Sequence, residues 1–197
     1  MFHYISNTKN KMKENILSSL RLTIVCLIFF SGFYTLIILG IAKVLPGKGN
    51  GEIITNEGNK YYSNIGQKFT DDKYFYSRPS AVDYNAAGAA GSNKGPSNPD
   101  YLALVQERVD TFRVHNPDVA VSEIPSDLVT ASGGGLDPHI SVQAATVQIK
   151  RISKIRGIAE GNLQQLVISN TEEPLLGFLG TEKINVLKLN IALDNLK

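Results

Sequence analysis

An uninterrupted apolar segment near the N-terminus is the most distinctive pattern in this chain. Residues 22–42 read LTIVCLIFFSGFYTLIILGIA, which is 21 positions without a charged side chain. A helix of that length rises about 31 Å, close to the ~30 Å hydrocarbon thickness of a bilayer. A buried helix of a soluble protein normally keeps a polar stripe, and this segment has none. The pattern predicts a transmembrane helix over residues 22–42.

The charges before this helix predict its orientation. Residues 1–21 carry four basic side chains and a single acid, Glu14. Short basic segments stay cytoplasmic, whereas long domains cross largely regardless of their charge. We therefore expect a cytoplasmic N-terminus and an extracytoplasmic domain. A cleaved signal peptide is the alternative, because Gly40 and Ala42 are small, but the apolar core of a signal peptide usually spans only about 7 to 15 residues.

Beyond the helix, the sequence predicts a linker and one soluble domain. Residues 43–51 contain three glycines and a proline, and their spacing matches neither the phosphate loop nor the dinucleotide loop. Residues 52–197 are long enough to bury a single core. From residue 22 onward there are 16 basic and 17 acidic residues, which lacks the basic footprint of a nucleic-acid binder.

The first part of the domain reads as strands and loops. Residues 52–76 predict a β-hairpin that turns at 56–59, followed by a third extended piece. Residues 83–99 contain no branched aliphatic side chain and predict a long surface loop. In the stretch YFYSRPSA, Arg78 beside aromatic rings predicts either a recognition surface or a charge that extends to water.

Capping residues predict the helices of the second part. Asn98 and Pro99 begin a helix that ends before Asn116. Its expected apolar stripe is Leu102, Val105, Val109 and Phe112. Ser141 caps a second helix, Val142–Arg156, which Gly157 closes. Its expected buried face is Ala145, Ile149, Ile152 and Ile155. Its expected solvated face is Lys150, Arg151, Lys154 and Arg156, and the alternative is that these four basic residues bind a phosphate or an acidic partner.

The C-terminal part contributes a short helix over 162–168 and a turn-bounded extended piece over 174–180. Residues 185–196 fit a helix capped by Asn185, and they also fit a strand, because apolar residues alternate there. Together these elements predict an α+β protein, with one N-terminal transmembrane helix followed by one mixed α/β domain.

A glycine-rich stretch holds the candidate site. Residues 128–145 read LVTASGGGLDPHISVQAA, in which a flexible turn feeds the start of a helix. Exposed backbone N–H groups in that arrangement can bind an anion. A structural or docking turn is the alternative. The candidate residues are Ser132, Gly133, Gly134, Gly135, Ser141 and Gln143.

Asp137 and His139 within this stretch could form an acid/base pair or part of a metal site. The other histidines are His3 and His115, and no second His or Cys stands at ligand spacing. The chain also lacks the nucleophile motif G-x-S-x-G. We therefore expect neither a metal site nor catalytic residues.

Four stretches resemble the C subunit family of the bacterial Kdp potassium-transporting ATPase (KdpC). They are YFYSRPSA at 74–81, GSNKGPSNP at 91–99, LVTASGGGLDPHISVQAA at 128–145 and INVLKLNIALD at 184–194. The resemblance covers the apolar helix and essentially the whole domain. One departure is Val142, where the family commonly has proline.

The resemblance implies an accessory subunit of an ATP-driven, high-affinity potassium uptake pump in the bacterial inner membrane. Its implied partners are a channel-like, potassium-binding subunit and a P-type catalytic subunit. The family is described as a catalytic chaperone that raises the ATP affinity of the catalytic subunit. ATP is therefore the implied cofactor, through that subunit.

This implied role conflicts with the expected topology, because ATP is cytoplasmic and the domain is expected outside. Two other classes of function stay open. One is a nucleotide-binding module that faces the cytoplasm, and the other is a membrane-tethered solute-binding protein that acts alone. If the glycine-rich turn binds phosphate, Gly134→Val should abolish ATP binding. If the turn is structural, the same change should reduce stability or assembly, because valine is strained where φ is positive.

Overall fold

The computed structural model describes Phe2 to Leu196, with side chains from Met12 onward. The chain divides into one compact unit that ends at Glu52 and a second that begins at Ile53. The first unit contains the apolar helix. The second contains short helices and antiparallel strands, and the α+β class is thereby confirmed.

The N-terminal unit is a long helix with a widened middle turn. It consists of α1 (Phe2–Leu27), a π-helical segment (Ile28–Tyr34) and α2 (Thr35–Val44). The part from Met12 to Val44 is long and apolar enough to cross a membrane, and its most apolar window has no buried residue. The predicted span, 22–42, lies inside this helix.

The domain begins with the predicted hairpin. Strands β1 (Ile53–Asn56) and β2 (Asn59–Tyr62) pair antiparallel, with Asn56 opposite Asn59. Glu57 and Gly58 both have positive φ, at 48° and 81°, which suits the twist of a two-residue hairpin turn. The segment predicted as a third extended piece forms no strand in the structure. Its backbone at Phe75 is held by a side chain, since Asn190 accepts from Phe75 N at 2.9 Å and donates to Phe75 O at 3.0 Å.

Helix α3 (Pro99–His115) begins and ends as predicted. Asn98 Oδ1 accepts from Tyr101 N at 3.0 Å, and Asn116 is the C-cap. The expected apolar stripe is wrong at its N-terminal end, because Leu102 is 53% exposed while Phe112 is buried. Among the four stripe residues, only Phe112, in the last turn, belongs to the buried core.

The predicted helix over 142–156 is interrupted, giving α4 (Val142–Thr146) and α5 (Ile149–Arg156). The break has a local cause at Gln148. Its side-chain Nε2 donates to Ala144 O at 2.9 Å, which is the acceptor that its own N–H would use in a continuous helix. Its N–H bonds to Ala145 O instead, at 3.1 Å.

The expected buried face is confirmed at Ala145, Ile149 and Ile152, which are all buried, and two other positions depart from the expected pattern. Ile155, expected inside, is 51% exposed. Arg151, expected in the solvated face, is only 6% exposed. Gly157 ends the helix at φ 66° as predicted.

A small antiparallel sheet and two more helices complete the domain. Strands β3 (His139–Ile140), β4 (Thr171–Glu172) and β5 (Lys183–Asn185) form a sheet in the order β3-β5-β4. Helix α6 is Glu160–Ser169, and α7 is Val186–Asp194. Residues 185–196 are therefore mainly helical, and the strand alternative is wrong beyond Asn185. That residue ends β5 and caps α7, accepting from Lys188 N at 3.1 Å.

The core lies between this sheet, α4 to α7 and the segment around Phe75. Its fully buried large apolar side chains are Phe75, Ile140, Ile152, Leu163, Ile184, Leu189 and Leu193.

Candidate functional site

The four stretches that carry the family resemblance lie against one another in the domain. Phe75 in the first is bonded to Asn190 in the fourth. A Cβ on Gly91, in the second, would come within 2.7 Å of Gly133 O in the third. Val186 N, in the fourth, donates to Pro138 O in the third at 3.0 Å. The stretches therefore build one connected region, although they are far apart in the chain.

Arg151 is the centre of a buried polar network in this region. Its guanidinium donates to Asn116 Oδ1 at 3.0 Å, to Tyr74 O at 3.0 Å and to Gln148 Oε1 at 2.8 Å, and also to Asp72 O. The same group stacks over the Tyr76 ring at 3.9 Å. Desolvation lowers the pKa of Arg151 from its ordinary value. This network fastens the segment from Asp72 to Tyr76 onto α5 and the end of α3.

Two ionisable groups continue the network toward the surface. Tyr76 Oη donates to the Asp72 carboxylate, and His115 Nδ1 lies 2.8 Å from the same carboxylate. The hydrogen bond from Tyr76, followed by that from His115, lowers the pKa of Asp72. Burial and the bond to Asp72 raise the pKa of Tyr76. Asp72 therefore stays ionised and acts as an acceptor that positions both partners.

Within the glycine-rich turn, Gly135 is closely packed. Gly135 has φ 68°, and a Cβ there would lie 2.9 Å from Val82 Cγ2 and 3.1 Å from Ala90 O. Gly133 and Gly134 have no positive φ, and a Cβ on either would meet open space. The Gly134→Val test rests on a positive φ that the structure places at Gly135 instead.

The start of α4 is already occupied by a carboxylate of this chain. Asp127 Oδ2 accepts from Ser141 N at 2.6 Å, and Ser141 Oγ accepts from Ala144 N at 3.0 Å. Gln143 Nε2 lies 3.4 Å from Glu123 O. Among the described residues, no hydrogen bond joins the turn at Ser132–Gly135 to Ser141 or Gln143. A nucleotide site at these six residues stays a prediction.

Asp137 and His139 belong to a structural cluster with Arg78. Arg78 donates from Nη1 to Asp137 Oδ2 at 3.1 Å and from Nε to Thr130 O at 3.1 Å. The charge of Arg78 is therefore paired inside the domain, which corrects both expectations for this residue.

The carboxylate of Asp137 also receives His139. His139 N donates to Asp137 Oδ1 at 3.0 Å, and its ring Nδ1 lies 3.3 Å from the same oxygen. These bonds, with that of the His139 side chain the largest, lower the pKa of Asp137 to about 2. The other ring nitrogen lies 3.6 Å from Glu172 Oε2. No described group of three His, Cys, Asp or Glu side chains has a geometry that could hold a metal ion.

A cleft of about 430 Å³ lies between α3 and the segment from Lys68 to Tyr84. Among the described residues, three basic side chains line it. Lys68 pairs with Asp83 at 2.7 Å, Arg108 donates to Val129 O at 3.0 Å, and His115 Nδ1 lies 2.8 Å from Asp72 Oδ1. Burial raises the pKa of Tyr84 in its wall to about 12. Arg108 differs from Lys68 in this lining, because its bond goes to a backbone carbonyl and not to a carboxylate.

Sequence patterns do not predict the roles of Gln148, Arg151 and Asn190. Each does carry a weak signal, because each polar residue stands at helical spacing among apolar ones. Asn190, for example, lies four residues after Val186 and three before Leu193, on the buried face of α7.

Comparisons with known proteins match nearly the whole chain. A family model described as KdpC, the c chain of the K⁺-transporting ATPase, matches residues 16–195. The potassium-transporting ATPase KdpC subunit of Flavobacterium psychrophilum is 52% identical over 185 residues, covering 93% of this chain and all of the relative. The corresponding subunits of Flavobacterium johnsoniae and Geobacter metallireducens are 54% and 45% identical, covering 93% and 95% of this chain and 100% and 98% of the relatives. The chain therefore belongs to the KdpC family, the c chains of the K⁺-transporting ATPase.

Proposed function

We propose that this chain is a non-catalytic subunit that stabilises a bacterial potassium-transporting ATPase, with its folded domain on the outer side of the inner membrane. The observation that carries the proposal is the packing of the four family stretches on one another. An active site would keep reactive side chains free at a cleft. Here the polar groups of those stretches fasten the domain together, as expected for a rigid body that braces other subunits.

The partners in this proposal are a channel-like, potassium-binding subunit and a P-type catalytic subunit. The apolar helix supports a membrane-embedded contact with them, because its most apolar window has no buried residue and needs lipid or other helices to cover it. Its single passage is too little to enclose an ion path.

Co-purification tests this role. An affinity-tagged chain, expressed with the other pump subunits and extracted in mild detergent, is expected to recover them in fixed proportion. Omitting the chain should reduce the yield of the remaining subunits as one complex. Recovery of the tagged chain alone would favour the membrane-tethered solute-binding protein.

The catalytic-chaperone role is compatible with an outward domain only if it acts through the catalytic subunit. By binding the conformation of that subunit that holds ATP better, this chain would raise ATP affinity without touching the nucleotide. The Asp127 carboxylate at the start of α4 supports this indirect route, because it occupies the backbone N–H that an anion would use.

Nucleotide affinity distinguishes the indirect route from direct binding. The ATP dissociation constant of the pump should rise when this chain is omitted, while the full-length chain alone in detergent should show no saturable ATP binding. Saturable binding by the chain alone would favour the nucleotide-binding module that faces the cytoplasm.

A further inference from the structure

An exposed apolar hairpin projects from the domain between β4 and β5. Residues 174–180 read PLLGFLG, and Leu175 and Leu179 pair across the turn through N–H···O bonds of 3.0 and 2.9 Å. The apolar tip consists of Leu175, Leu176, Phe178 and Leu179, which are 69, 75, 73 and 50% exposed. None of the four packs against the hydrophobic core. Four adjacent large apolar side chains in water mark an interaction surface more often than chance exposure.

The backbone conformation of Leu176 independently supports an interaction surface at this tip. Leu176 has φ 57° and is followed by Gly177 at φ 78°. Leucine in the left-handed region costs roughly 1–2 kcal/mol, and asparagine or glycine suits such a turn better. Because the side chain of Leu176 is 75% exposed, packing within the domain offsets little of this strain. Burial against a partner would offset more of it.

The charges around the tip indicate what covers it. Glu173 and Glu182 flank the hairpin, are exposed, and form no ion pair with a described residue. Glu172 at its base faces Lys183 at 3.8 Å, Lys188 at 3.7 Å and His139 at 3.6 Å. Unpaired acids beside an apolar tip disfavour an anionic lipid surface, which attracts basic segments. They favour a protein pocket with a basic rim.

We infer that the apolar tip inserts into an apolar pocket, rimmed by Lys or Arg side chains, on another subunit of the same pump. This inference rests on the proposed function, since it requires that the chain assemble with other subunits. Phe178 and Leu176 supply the buried contact area, and Glu173 and Glu182 meet the basic rim. Interfaces of this kind are typically dominated by a few central apolar side chains surrounded by a polar rim.

Two variants test the inference in the full chain expressed with the other subunits. Leu176→Asn removes the apolar side chain and places a residue suited to positive φ, so the unfolding temperature of the chain should stay level or rise. Phe178→Ser removes the aromatic ring from an exposed position. Each should lower the yield of intact pump in detergent at least fivefold.

Val114→Ser is the matched control, because Val114 is a single apolar side chain that is 78% exposed on α3. Its yield of intact pump should equal that of the unaltered chain. A photo-crosslinking amino acid at position 178 should give an adduct with a pump subunit in native membranes.

The outcomes separate this inference from the proposed function. If the unaltered chain co-purifies with the other subunits but both variants do so equally well, the tip inference is wrong and the proposed function stands. An adduct with lipid alone would equally overturn the inference. If the unaltered chain is recovered alone, both fail.

Discussion

At the scale of single residues, Arg151 departs most from its expected environment. The sequence predicts Arg151 in the solvated face of its helix, whereas it lies in the first turn of α5, is 6% exposed, and donates to Asn116 and to the backbone oxygens of Asp72 and Tyr74. The periodicity of α5 alone cannot reveal this, because Asn116, Tyr74 and Asp72 lie 35, 77 and 79 residues away.

Replacing Arg151 tests how much this network contributes to the stability of the domain. Arg151→Met should destabilise the domain by roughly 1–3 kcal/mol for each buried acceptor left unsatisfied, in particular Asn116 Oδ1 and Tyr74 O. Lys150→Met, at the exposed neighbouring position, should change stability by less than about 0.5 kcal/mol. Chemical unfolding of the full chain in detergent measures both, and equal effects would show that the network contributes little.

Substitutions at Gly135 and Gly134 form a matched test of packing in the glycine-rich turn. Gly135→Ala should be destabilising, because a Cβ meets Val82 at 2.9 Å and the backbone has φ 68°. The strain alone is worth roughly 1–2 kcal/mol. Gly134→Ala should be nearly neutral, since it meets open space. Thermal unfolding compares the two, and a tolerated Gly135→Ala would contradict the close packing of this turn on residues 80–90.

The Asp137 cluster predicts a dependence of stability on pH. The folded-state pKa of Asp137 is about 2, below its ordinary 3.8, so its contribution is fully present above pH 4 and is lost as the pH falls toward 2. Asp137→Asn should lower the free energy of unfolding at neutral pH. It should also make the decrease in that free energy between pH 4 and pH 2 smaller. Unfolding curves between pH 2 and 6 measure the effect. If the free energy of unfolding fell equally steeply with pH in both proteins, Asp137 would not be the source of the pH dependence.

At the scale of elements, local signals predict boundaries well. Asn98, Ser141 and Asn185 each accept from the backbone N–H three residues later, as caps do, and Gly157 ends α5 with a positive φ. The break between α4 and α5 escapes such reasoning. Gln148 is held there by Tyr76 N at 2.7 Å, a contact across 72 residues that no capping rule contains.

The apolar helix carries a prediction of its own. Ser31 in the π-helical segment and Thr35 at the start of α2 are small residues that would let another helix approach closely. Thr35 Oγ1 also donates to Phe30 O at 3.0 Å. Replacing both residues with leucine should reduce the yield of detergent-stable pump several-fold.

Thr23→Leu is the control for that experiment. Thr23 is exposed on α1 and its hydroxyl donates to Ser19 O at 2.9 Å, so the change removes a similar local bond outside the π segment. An unchanged yield for the Ser31 and Thr35 variant would leave the helix as a passive anchor.

At the scale of the whole molecule, the sequence predicts the order of parts and the family more readily than the site. The long apolar helix and the four family stretches are contiguous runs that can be read directly. Their convergence depends on contacts such as Phe75 to Asn190, which are 115 residues apart. The six candidate residues lie in two different settings, a close-packed turn and a helix start that already holds Asp127.

Two roles of the domain can be distinguished by the side of the membrane on which it lies. Outside, it can brace the other pump subunits, whereas direct ATP binding requires the cytoplasmic side. An alkaline phosphatase fused after Lys197 identifies the side, because that enzyme is active only outside the bacterial cytoplasm. The basic segment before the apolar helix predicts that the phosphatase fusion is active. A reporter that fluoresces only in the cytoplasm, fused at the same position, should give no fluorescence. An inactive phosphatase with a fluorescent cytoplasmic reporter would contradict the outward domain.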